Sequence, residues 1–145
     1  MTIKEIQTKL IENMKRWQKI EDASMASTGR IMEQTDNPLI HLIMEIIQID
    51  SQVHHRVQDF IAGTLEREAV TLSPEELGKV WDAVQNHIDI ERKMVGFVDE
   101  TLSALKGKKM VVQEYLLSYL KEDETKHDHL LSTLEKIKTG MYPYG

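Results

Sequence analysis

Residues 121–130, KEDETKHDHL, interrupt an otherwise apolar helical stripe. Leu116, Leu117 and Leu120 precede the stretch, and Leu130, Leu131 and Leu134 follow it. Helical spacing carries the core-facing line from the first set to the second straight through Glu124 and His127. Burying a carboxylate and an imidazole in such a line is costly without partners. The fold and its purpose are therefore decided by whether other segments make the same interruption at the same height.

The breaks in the chain define those segments. TDNPL offers Asp36 or Asn37 as a helix cap with Pro38 in the first turn. TLSPEEL offers Ser73 as cap, Pro74 at the first helical position, and Glu75 and Glu76 at the positive end of the dipole. LKGKKM places Gly107 at a helix C-terminus. Four helices are predicted, over about 2–34, 38–68, 74–106 and 109–138, with 139–145 (TGMYPYG) as a tail. No segment alternates with period two, so the expected fold is all-α: an antiparallel four-helix bundle forming one domain over 1–138.

Each predicted helix has an apolar stripe with metal-competent side chains near its middle. The first runs through Ile6, Leu10, Met14 and Trp17 to Glu21. The second runs through Ile43 and Ile46 to Asp50 and His54, then Val57. The third has Val80 and Val84 before Glu91, and the fourth carries Glu124 and His127. Glu21 lies 15 residues before the turn near 36, and Asp50 and His54 lie 14 and 18 after it. Glu91 lies 16 before Gly107, and Glu124 and His127 lie 17 and 20 after it. At about 1.5 Å of rise per residue, each set is level within roughly two turns. The interval from Glu21 to His54 equals that from Glu91 to Glu124, 33 residues, so the pattern repeats between the halves.

Composition narrows the function classes. The chain has 145 residues, 41% hydrophobic and 29% charged, which is ordinary for one globular domain. A net charge of −6 without a basic cluster argues against nucleic acid as a partner. The absence of cysteine excludes disulfides, thiolate metal sites and thiol catalysis, and fits a reducing cytoplasm. PLIHLIMEIIQID, the most apolar run, is broken by His41 and Glu45 and is too short to span a bilayer. Four carboxylates gathered in a bundle centre would repel one another. Two divalent cations would neutralise them, and oxygen ligands with imidazole suit iron or manganese, with zinc also open.

One Glu on each of two helices and Glu-x-x-His on each of the other two is the donor set of the ferritin-like di-iron carboxylate proteins. This sequence resembles that superfamily, and its lengths and spacings look most like the diiron domain of rubrerythrins, without the rubredoxin domain. The resemblance implies two iron ions held by Glu21, Asp50, His54, Glu91, Glu124 and His127. It further implies oxidation of ferrous iron by peroxide or dioxygen, of the peroxidase or ferroxidase type, with an external electron donor for the former. No catalytic residue beyond the ligands is implied.

The second helix departs from the pattern. In IDSQVHH, Ser51 stands three residues before His54, so Asp50 must serve at four, and a lopsided or single-metal site is the alternative. Residues 69–72 would span only about 14 Å, so the short connection between helices two and three predicts an up-down-up-down course. Hemerythrins share that course, but their histidine-dominated ligands are not reproduced. In HIDIE, His87 lies one turn before Glu91, as a seventh ligand or a partner behind Glu91.

Blander readings stand beside these. They are a non-catalytic bundle that senses or binds metal or oxygen, and a structural bundle with a polar central layer. His41, Glu45, Gln48, Gln52 and His55 read as a solvated face. Ile40, Met44 and Ile47 suit extra burial or a homodimer contact. The small residues of DASMASTG suit close packing or a channel to the site.

Overall fold

The computed structural model describes residues 1–141, and these are helical throughout apart from short connections. The elements are α1 (Ile3–Glu33), α2 (Pro38–Glu66), α3 (Pro74–Leu105), α4 (Val111–Ser132) and a short α5 (Leu134–Met141). They divide into two compact units, Met1–Val70 and Thr71–Gly145, each built on a helical hairpin. Among the described residues, no helix is long and apolar enough to cross a membrane.

The helix ends follow from local chemistry. Asn37 Oδ1 accepts from the backbone N–H groups of Leu39 and Ile40, with Pro38 at the first helical position. Ser73 and Glu76 form a reciprocal capping box at the start of α3, each side chain accepting from the other's backbone N–H. At the far end of α3, Gly107 takes the left-handed φ of 77° that stops the helix, and Lys109 follows at 57°. The connection between α2 and α3 is short, covering residues 67–73.

The fourth predicted helix differs. It breaks at Thr133, whose hydroxyl donates to the His129 carbonyl at 2.7 Å and whose own N–H also reaches that oxygen. The tail also begins later than residue 139, because α5 runs to Met141. Residues 142–145, including Pro143, lie outside the described residues.

Each hairpin is antiparallel, with partners rising in number on one helix as they fall on the other. In the first, Lys15 pairs with Glu66 at 3.0 Å, Gln18 Nε2 donates to the His55 carbonyl, and Ser24 Oγ meets Ser51 Oγ at 3.0 Å. Gln48 Nε2 donates to the Met25 carbonyl. In the second, Lys121 pairs with Asp99 at 2.7 Å and Arg92 with Asp128 at 3.3 Å.

The face that α2 turns toward α1 is not the apolar stripe. Ser51, Gln58, Ala62 and Gly63 are buried, whereas Val57 is exposed. Small residues let two helix backbones approach closely, and Ser24 opposite Ser51 is that contact, so the DASMASTG run serves packing. The expected solvated face is correspondingly mixed. Glu45 and Gln52 are exposed, but His41 bonds to the Thr35 carbonyl, Gln48 reaches Met25, and His55 faces Asp22. Met14, Leu77, Ile88 and Val98 are buried, each side chain worth about 1.5–3 kcal/mol. Trp17, Val80 and Leu120 are exposed.

Candidate metal centre

The α3–α4 hairpin gathers three of the predicted ligands. Glu91, Glu124 and His127 each offer a donor atom within 4.8 Å of the other two. The local cause is spacing: Glu124 and His127, three apart, lie on one face of α4, and the antiparallel pairing with α3 brings Glu91 opposite them. His127 Nδ1 is 3.4 Å from Glu91 Oε1 and 3.6 Å from Glu124 Oε2. His87, one turn before Glu91 on α3, places Nε2 3.0 Å from Glu91 Oε1.

Burial makes this cluster demanding. The Glu91 side chain is 5% exposed and that of Glu124 18%. Among the described residues, neither Glu91 Oε2 nor Glu124 Oε2 has a hydrogen-bond donor. An unsatisfied buried acceptor costs about 1–3 kcal/mol, and more when charged. Contact with the Glu91 carboxylate, and then burial, holds the Glu124 carboxyl above the usual carboxylate range. The same contact with Glu124, joined by His87, holds Glu91 below that range despite its burial. A cation would satisfy both orphaned oxygens at once, and two carboxylates with imidazole are a donor set that fits iron, manganese or zinc.

The α1–α2 hairpin assembles less. Glu21, buried, faces His54, with His54 Nδ1 3.5 Å from Glu21 Oε1. Asp50 is half-buried on α2 and has no ion pair with either residue. Ser51 occupies the helical position that Glu124 has on α4, and it is buried against Ser24. Thus the structure brings together Glu21 with His54, and Glu91 with Glu124 and His127, while Asp50 joins neither group.

One neighbour escaped the sequence reading. Asp123 Oδ2 lies 3.7 Å from the outer nitrogen of His127, Nε2, while Lys126 Nζ holds the other oxygen of Asp123 at 2.8 Å. The signal was available as Asp-x-x-x-His, a one-turn spacing. Comparison of the chain with known protein families, with curated proteins and with solved structures gives no match.

Proposed function

We propose that the protein is a non-haem iron protein of the ferritin-like class, oxidising ferrous iron with peroxide or dioxygen as a peroxidase or ferroxidase. The single observation that supports this most is the pair of donorless carboxylate oxygens, Glu91 Oε2 and Glu124 Oε2, beside His127. Glu91, Glu124 and His127 would hold metal, and Glu21 and His54, with Asp50, are the ligands assigned to the first hairpin. The antiparallel four-helix arrangement belongs to the same proposal and rests on the matched spacings.

Iron bound to such donors supplies one-electron redox chemistry toward an oxidant. The chain's own part is to fix the donors and restrict water. Burial of Glu91 keeps its carboxylate away from bulk solvent, and His87 fixes one of its oxygens. Carboxylates ligate in their deprotonated form, so a cation here would compete with protons, most of all at Glu124, whose carboxyl is held above the usual range. A peroxidase role also needs an external reductant.

The test is metal analysis of protein purified without chelator, followed by anaerobic ferrous titration watched optically. About two iron per chain, with near-ultraviolet absorption after peroxide, is the expected result. A folded protein that takes up no iron overturns the proposal. Binding without peroxide turnover leaves a metal-binding protein and removes the enzyme.

A further inference from the structure

The two hairpins carry the same motif in different states of completeness. Aligned on the histidines, Asp50-Ser51-x-x-His54 on α2 matches Asp123-Glu124-x-x-His127 on α4. Asp50 is therefore the counterpart of Asp123, and Asp123 stands behind the histidine, facing its outer nitrogen. The counterpart of the metal-facing Glu124 is Ser51, which is 4% exposed and engaged with Ser24. One turn before the glutamate of the first helix, α3 has His87 where α1 has Trp17. The first hairpin thus lacks one carboxylate and one imidazole that the second possesses.

Three donors of the second hairpin, from Glu91, Glu124 and His127, lie close enough together to meet at one ion, while His87 stands behind Glu91, outside that group. Glu91 Oε1 is 3.0 Å from His87 Nε2 and 3.4 Å from His127 Nδ1, and His127 Nδ1 is 3.6 Å from Glu124 Oε2. Bonds of about 2.1 Å put adjacent donors about 3.0 Å apart in an octahedron and about 3.4 Å apart in a tetrahedron. The charge also balances, since two carboxylates neutralise one divalent cation. Behind His127, Asp123 Oδ2 lies 3.7 Å from the far ring nitrogen, just beyond hydrogen-bond distance, and closing that gap would give the pairing by which proteins fix the orientation of a ligating imidazole.

We propose that the α3–α4 hairpin is by itself a site for one divalent transition-metal ion, held by Glu91, Glu124 and His127, with His87 fixing Glu91 from behind. Asp123 positions His127, and this site loads ahead of any metal on the first hairpin. The proposal rests on the metal-binding part of the function above and is independent of its oxidation chemistry.

The test uses the full chain, stripped of metal and titrated with cobalt(II), whose visible bands report the ligands. The first equivalent is expected to bind at least about tenfold tighter than a second. His87 is 54% exposed, so His87→Ala leaves the helix intact, and by freeing Glu91 it should weaken the first equivalent several-fold with the band pattern retained. Asp123→Asn should weaken binding by about ten- to a hundredfold with the band pattern retained. Glu124→Gln, which removes a ligand, should both weaken the first equivalent and alter its bands. His54→Ala should remove only the weaker second equivalent. Two equivalents of equal affinity would overturn this proposal while leaving the function above standing, as would a Glu124→Gln protein with unaltered bands and affinity. A folded chain that binds no cobalt would overturn both.

Discussion

Glu124→Gln separates a carboxylate kept for metal from one kept for structure. In the metal-free protein, Glu124 and Glu91 place donor atoms within 4.8 Å, each with an oxygen that has no donor. At an effective dielectric of about 20, two full charges at that distance repel by roughly 3 kcal/mol, and the raised proton affinity of Glu124 offsets part of this. Glutamine removes one charge and supplies an amide donor to Glu91. The expected net gain is about 1–2 kcal/mol, a rise of a few degrees in Tm. The sign with pH follows from the direction of the shift. Glu124 is held high, so the folded state keeps its proton better than the unfolded chain. Wild-type stability from this group therefore falls as pH rises through the raised value. The advantage of glutamine is fullest above that value and fades as acid protonates Glu124. Glu91, held low, acts oppositely: its contribution is present above the ordinary carboxylate value and is lost as pH falls through its lowered one. Saturating metal reverses the order, because a ligand at a hundred times its Kd stabilises wild type by about 2.7 kcal/mol, and the variant loses most of this. Melting curves by far-ultraviolet circular dichroism, in chelator and in excess zinc, read both effects. A variant less stable than wild type in chelator, or equally stabilised by zinc, refutes the reasoning.

Two further substitutions test the local chemistry that ends and begins α3. Ser73→Ala removes one arm of the capping box and should cost about 1 kcal/mol, lowering Tm by a few degrees, whereas Ser73→Asp should retain most of the stability. Gly107→Ala forces a side chain into a left-handed φ of 77° with no neighbouring atom within 4 Å of the new methyl. The cost is then backbone strain alone, about 1–2 kcal/mol in a denaturant melt, and an unchanged midpoint would contradict that turn.

The element boundaries were legible because they are set by groups within a few residues of each other. Asn37 with Pro38, Ser73 with Glu76, and Gly107 all end or begin helices through contacts their own neighbours supply. The break at Thr133 was not legible, because no glycine or proline marks it. Part of the site was legible for the same local reason. Residues three or four apart share a helix face, so Glu124 with His127 and His87 with Glu91 follow from spacing alone.

Spacing alone left two places for Asp50. One turn from His54, it lies on the right face whether it serves as a ligand or backs the ring, and on α4 those two places are filled by separate residues, Glu124 at Nδ1 and Asp123 toward Nε2 of His127. The sequence by itself therefore determined the helices, their caps and the repeated carboxylate–histidine motif, because each depends on interactions within a turn. Tertiary structure decided which residues meet across a hairpin. Periodicity favoured the apolar stripe of α2, but the residues of α2 that are buried are Ser51, Gln58, Ala62 and Gly63, with Ser51 meeting Ser24 of α1. The opposed carboxylates of Glu91 and Glu124 arise in the same way, from the register of α3 against α4, where long-range packing sets the distance and hence the charge.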